Sequence, residues 1–192
     1  LKVGIFGGTF NPVHHGHLVA AEQVREETGL DEILFVPVKE PVHKTENLLA
    51  PSLHRMEMLE LVCESNPGFT VTGCEIERDG PSYTITTVHQ MIEKRPGDEV
   101  SLVIGADSFN DFHKWYRWKD IIELVSLVVM QRPGEEIEPE RYPEARVRVV
   151  QNPRLDISST DIRNRIAEER SIRYLLPEVV REYIYRKGVY RT

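Results

Sequence analysis

Two histidines three residues apart, His14 and His17, close the run Gly7-Gly8-Thr9-Phe10-Asn11-Pro12-Val13-His14-His15-Gly16-His17. The chemistry on offer is anion binding. Paired glycines let a backbone come close to a ligand, and the first amides of a helix starting near Leu18 point at the same place. Imidazoles at the positive end of a helix dipole stay neutral or meet an anion. Gly7 to His17 therefore reads as a nucleotide phosphate cradle. Glycine sterics with incidental histidines is the bland alternative. Zinc would need a third ligand at sensible spacing, which the sequence lacks, so no metal site is assigned.

A second constellation is Asp156-Ile157-Ser158-Ser159-Thr160-Asp161-Ile162-Arg163. One of its three hydroxyls caps a helix, and a cap needs only one. The surplus hydroxyls, the helix-start amides and Arg163 one turn in suit the terminal phosphates of a nucleotide, whereas Arg165 points elsewhere by helical spacing. In Ile104-Gly105-Ala106-Asp107 an apolar run ends on a carboxylate. It either meets a ribose hydroxyl or caps the next helix, with little to choose between the two. Trp115-Tyr116-Arg117-Trp118 reads as core packing or as a platform for a planar ring. Gly80-Pro81-Ser82-Tyr83-Thr84 turns into a helix whose amides can accept a small carboxylate, though alone it is only a helix start.

These residues must be positioned by elements that alternate. Apolar runs predict strands at Lys2 to Phe6, Glu32 to Pro37, Phe69 to Glu77, Val100 to Gly105, Ser126 to Gln131 and Val147 to Gln151. Several are too continuously apolar for a half-exposed sheet. Helical periodicity predicts Leu18 to Thr28, Ser52 to Glu64, Thr84 to Lys94, Trp118 to Glu123, Thr160 to Glu169 and Pro177 to Lys187. In the second of these, Leu53, Met56, Leu59, Leu61 and Val62 form the core stripe and Ser52 the cap. The expected fold is α/β: a doubly wound, Rossmann-like parallel sheet with helices on both faces and ligands beyond the strands' carboxyl ends. A small helical segment from about 157 to 192 completes a single domain over 1–192. Two irregular stretches remain. Val38 to Pro51, holding His43 and Lys44, is expected to face substrate, and Arg132 to Ala145 to be a solvated excursion.

Composition narrows the class. With 24 basic against 31 acidic residues the formal charge is −7, which excludes a broad nucleic-acid surface but permits a local basic pocket. Cys63 and Cys74 are too few for a disulfide framework and read as reduced thiols. No run reaches the roughly 18 apolar residues of a membrane span, and the opening reads as a strand rather than a leader. The expectation is a soluble cytoplasmic protein without membrane contact, with homo-oligomerisation left open.

Taken together, the opening run and Ile157-Ser158-Ser159-Thr160 with Arg163 resemble the two nucleotide motifs of the nucleotidyltransferase superfamily. Pro41-Val42-His43-Lys44, Gly80-Pro81-Ser82-Tyr83-Thr84, Ile104-Gly105-Ala106-Asp107, Trp115-Tyr116, Arg132-Pro133-Gly134 and Tyr174-Leu175-Leu176-Pro177 narrow the resemblance to bacterial nicotinate mononucleotide adenylyltransferases. The resemblance implies ATP and nicotinate mononucleotide as substrates, with magnesium carried on the ATP phosphates. It implies that His14, His17, Lys44 and Arg163 act on phosphate. Gly7, Gly8, Thr9, Phe10, Gly105, Asp107, Ser159 and Thr160 would hold ATP. His43, Ser82, Tyr83, Thr84, Trp115 and Tyr116 would hold the pyridine nucleotide. Asn11 departs from the Asp of many relatives and Val42 from the second proline before the His-Lys pair, and neither removes a phosphate ligand. Phosphopantetheine adenylyltransferases and cytidylyltransferases share the opening and closing motifs, but should lack the Trp-Tyr platform and the Pro-Ser-Tyr-Thr turn. A non-catalytic nucleotide sensor and a detached tRNA synthetase core fit less well. The first conflicts with the retained phosphate ligands, the second with a short, acidic chain.

Overall fold

A computed structural model describes residues 1–39 and 49–191. His43 and Lys44 lie outside the described residues. The elements are β1 (Lys2–Gly8), α1 (His15–Thr28), β2 (Glu32–Pro37), α2 (Ser52–Cys63), β3 (Phe69–Val71), α3 (Thr84–Lys94), β4 (Glu99–Gly105), α4 (Ala106–Asn110), α5 (Trp118–Leu124), β5 (Ser126–Gln131), β6 (Val147–Gln151), α6 (Ser159–Ala167) and α7 (Glu178–Lys187). Single 3-10 turns lie at Phe112–Lys114 and Pro139–Arg141.

The six strands form one sheet in the order β3-β2-β1-β4-β5-β6, every neighbouring pair parallel. This is the doubly wound order, and the winding reverses between β1 and β4, where a crevice must open at the strands' carboxyl ends. Ile5 of β1 sits between Leu34 of β2 and Leu102 of β4, so the central strands are in close register.

Alternate side chains of these strands enter two cores. Phe6, Ile33, Phe35, Val103 and Val128 pack beneath α1, α2, α6 and α7. Val3, Ile5, Leu34, Leu102, Ile104 and Leu127 pack beneath α3, α4 and α5. Each of these side chains, taken wholly from water, contributes about 1.5–3 kcal/mol before entropy is charged. The covered faces explain why the strands read as unbroken apolar runs.

Some expectations need correcting. The third strand stops at Val71 rather than running to Glu77, because only Phe69, Thr70 and Val71 pair with β2. In α2 the buried positions are Arg55, Met58, Leu59 and Val62, while Leu53 is 64% exposed and Met56 only half-buried. The stripe is therefore rotated by about one position from the apolar pattern. Ser52 does not cap this helix; Pro51 is the residue before it and makes no side-chain cap bond. Nor is 132–145 wholly a solvated excursion. Tyr142 is 2% exposed, packs on Phe109, Phe112 and Trp118, and donates its hydroxyl to the Phe109 carbonyl at 3.2 Å. No helix among the described residues is long and apolar enough to cross a membrane.

Candidate active site

β1 delivers the glycine pair to the crevice, and its two glycines answer different needs. A Cβ on Gly7 would meet open space, so this backbone is accessible to a ligand. A Cβ on Gly8 would lie 2.8 Å from the Phe10 ring, so here the demand is steric. Phe10 takes a left-handed φ of 48° and turns its ring into the core against Phe6, Phe35 and His17. Only its main chain remains at the turn. The Gly8 carbonyl accepts the Val38 amide at 3.0 Å, tying the end of β1 to the segment after β2.

His14 is the extended residue just before α1. Its amide donates to His17 Nδ1 at 3.3 Å, and the two rings stack 3.8 Å apart. With Nδ1 accepting, a neutral His17 carries its proton on Nε2 and is a donor there. His14 is only 5% exposed. Burial, then the positive charges of Arg132 and His15, push its pKa down to about 4, so the ring is neutral at neutral pH. Its Nδ1 is buried with no hydrogen-bond partner among the described residues. A Cβ on Gly16 would stand 3.0 Å from this ring, so a glycine is what lets the imidazole lie against the helix start.

The second motif is bonded directly to the first. Ser158 is the cap of α6, accepting the Asp161 amide at 3.1 Å. Ser159 donates its hydroxyl to the Pro12 carbonyl at 2.9 Å. Arg163, 6% exposed, donates to the Asn11 carbonyl at 2.7 Å and to Thr160 Oγ1 at 3.3 Å. Two hydroxyls expected to be surplus therefore already have structural work: Ser159 joins the motifs and Thr160 receives the guanidinium. Arg165 turns away, as helical spacing predicts, and pairs with Asp161 at 2.8 Å. The start of α1 is held from a further direction by the His15 amide, which donates to the Leu175 carbonyl at 3.1 Å.

The opposite layer supplies a second group. β4 ends at Gly105, and the exposed Asp107 lies in the first turn of α4, its Oδ1 accepting the Ser108 amide at 2.7 Å. Gly105, not Asp107, is the residue preceding that helix. α3 begins at Thr84 after the extended Tyr83, whose carbonyl takes the Thr86 and Thr87 amides. The Thr84 and Ile85 amides are the remaining donors of that helix start. Tyr83 and Tyr116 bring their exposed rings to 4.5 Å of one another. Trp115 is half-buried with one side against Phe112, whereas Trp118 packs on Tyr142. Both tryptophans are half-buried against the same core cluster. Ser82 stands in the turn before Tyr83. The histidines and Arg163 are held from one face of the sheet and the tyrosines and Trp115 from the other, on either side of the reversal.

The structure adds roles for three residues to which the sequence assigned none, of which only Arg55 went unmentioned there. Arg55 is 0% exposed, and its three guanidinium nitrogens donate to the carbonyls of Ala50 (3.1 Å), Thr9 (2.8 Å) and Lys39 (3.0 Å). Asn11, 1% exposed, accepts the Ala50 amide on Oδ1 at 3.1 Å. Arg132, beyond β5, adds positive charge near His14. A hint was available for Arg55, since it occupies a helical position that an apolar stripe should fill. The roles of Asn11 and Arg132 depend on neighbours far away in sequence. Both cysteines are free thiols, and burial pushes the Cys63 thiol up to about 12. Among the described residues no three His, Cys, Asp or Glu side chains are grouped to hold a metal ion.

Residues 5–165 match the family described as cytidylyltransferase-like. The nicotinate-nucleotide adenylyltransferase of Bacillus subtilis (strain 168) is 40% identical over 191 residues, covering 100% of this chain and 99% of that one. Among solved structures, the Plasmodium falciparum nicotinic acid mononucleotide adenylyltransferase complexed with NaAD superposes with a TM-score of 0.81 at 17% identity, over 98% of this chain and 97% of the other. The same enzyme complexed with APC gives 0.80, also at 17% identity, over 98% and 96%. At that identity the likeness is one of fold.

Proposed function

The chain belongs to the nicotinate-nucleotide adenylyltransferase family of cytidylyltransferase-like proteins, and on that premise we propose how its site transfers the adenylyl group of ATP to nicotinate mononucleotide, giving nicotinate adenine dinucleotide and pyrophosphate on the route to NAD. The observation that carries the reading is the direct bonding of the two phosphate motifs. Ser159 and Arg163 donate to the Pro12 and Asn11 carbonyls, so His14, His17 and Arg163 share one end of the sheet.

A phosphate oxygen of the mononucleotide attacks the α-phosphorus of ATP in line. The bond from that phosphorus to the oxygen bridging to the β-phosphate breaks, and its electron pair leaves on pyrophosphate. The nucleophile is already an anion, so no general base is needed, and the rate comes from alignment and charge stabilisation. His17, its Nδ1 engaged by the His14 amide, offers an Nε2 proton to the α-phosphate oxygens as charge develops. His14 enters neutral, and a phosphate beside it gives its buried Nδ1 a partner. Gly7, Gly8, Thr9 and Phe10 contribute main chain. Arg163, Thr160 and the α6 start at Ser159 receive the leaving pyrophosphate, with Lys44 and His43 as further phosphate ligands. Gly105 and Asp107 meet the nucleotide hydroxyls.

Trp115 stacks on the pyridine ring, and the amides around Ser82, Tyr83, Thr84 and Tyr116 take the nicotinate carboxylate. A helix-start amide cluster favours that anion over a neutral carboxamide. Magnesium would be carried on the ATP phosphates. The chain's own donors here are imidazole, guanidinium, ammonium and amide groups, which suits an ion held by phosphate oxygens and water and neutralising the leaving charge. The same reading treats 1–192 as one domain and sets the reaction in the cytoplasm.

The test is a coupled pyrophosphate-release assay offering ATP with nicotinate mononucleotide, nicotinamide mononucleotide or phosphopantetheine. Release is expected with the first and should be weakest with the last. No release with nicotinate mononucleotide overturns the reading.

A further inference from the structure

Arg55 stands in the first turn of α2, wholly buried, where the helix needs only an apolar side chain to close the core. Burying a guanidinium is costly unless its donors are met. Here each of its nitrogens meets a carbonyl from a different stretch of chain. Thr9 belongs to the phosphate turn, and Lys39 and Ala50 are described residues on either side of the segment that contains His43 and Lys44. Asn11 adds a second tie by accepting the Ala50 amide, and the carbonyl of the same residue receives Arg163. One buried cluster thus connects the glycine turn, both ends of the intervening segment and the second phosphate motif. A planar fork of fixed geometry can set three carbonyls at fixed separations; an ammonium on a flexible stem cannot.

We propose that Arg55 is a positioning residue for adenylyl transfer, an inference that rests on the activity proposed above. Its guanidinium sets the phosphate turn and the two chain ends at Lys39 and Ala50 in one register. It touches no substrate and acts through the Thr9, Lys39 and Ala50 carbonyls.

The experiment compares Arg55→Lys, which keeps the charge and loses the fork, with Arg55→Met, which keeps neither. Folding is checked by circular dichroism and a cooperative thermal melt, and steady-state pyrophosphate release is measured against each substrate. Both variants should fold and lose at least about tenfold in kcat, to similar extents, while each KM changes by less than about threefold. Parent-like turnover in Arg55→Lys would show that charge rather than geometry matters and overturns the proposal. So does a loss confined to KM, or failure of both variants to fold, which would make Arg55 a strut of the core. A parent protein that releases no pyrophosphate overturns the activity reading and this proposal with it. An active parent matched by its variants overturns the role of Arg55 alone.

Discussion

The two ends of the sheet handle charge in opposite ways. At the amino ends of the strands, charges are closed on one another. Arg95, just after α3, pairs with Glu32 at the start of β2 (2.7 Å) and with Asp98 (2.8 Å), and the Lys2 amide donates to Asp31 at 2.7 Å. Arg95 holds the Glu32 carboxyl below the usual carboxylate range. At the carboxyl ends, Arg55 donates to the Ala50, Thr9 and Lys39 carbonyls, and Arg163 to the Asn11 carbonyl and Thr160 Oγ1. One end is built for cohesion. The other spends its buried donors on the backbone of the glycine turn and its neighbours, beside a buried His14 Nδ1 that has no hydrogen-bond partner among the described residues.

The largest test of this contrast is His17→Ala, which should lower kcat by roughly a hundredfold or more while leaving the circular dichroism unchanged, as for a donor acting on transition-state charge. Parent-like turnover would remove the histidine end from the chemistry. Next is pH. Below about 6.5 the unfolded chain protonates His14, while the folded protein resists until about 4, so stability falls as pH drops through that window. The loss, read by denaturant titration, is about 3 kcal/mol. His14→Gln should flatten that part of the profile, and an unchanged slope would show that His14 is protonated as readily folded as unfolded.

At the other end, Arg95→Ala should cost about 2 kcal/mol near neutral pH with kcat unaltered. Glu32, depressed by Arg95, stabilises the fold above its unfolded pKa and loses that contribution as it protonates. The gap between Arg95→Ala and its parent should therefore narrow in acid. A kcat that fell together with stability would mean that the two ends are not separable. The smallest effect is expected from Trp115→Ala, which should raise KM for nicotinate mononucleotide more than for ATP. Equal shifts would mark Trp115 as a packing residue rather than a ring platform.

The same contrast explains what could be read in advance. Most strands and the covering of both sheet faces were legible because they are local: an apolar run is buried on both faces, and helix periodicity shows in the sequence whatever surrounds it. The first phosphate motif was read as a turn followed by a helix from Leu18, and α1 in fact begins three residues earlier, at His15. The short α4 was missed because five residues carry too little periodicity to be seen. Tyr142 was missed because its burial depends on Phe109, Phe112 and Trp118, all distant in sequence.

By itself, the sequence determined the chemistry available: imidazoles and glycines after one strand, hydroxyls and a guanidinium at one helix start, aromatics at another. Tertiary structure decided how those groups are committed. It bonded Ser159 to Pro12, turned Arg55 inward to three carbonyls, stacked His14 on His17, and lowered the His14 pKa by taking the ring out of water. Residue type and spacing are properties of the chain. Desolvation and the partner of each donor are set only when segments far apart in sequence meet.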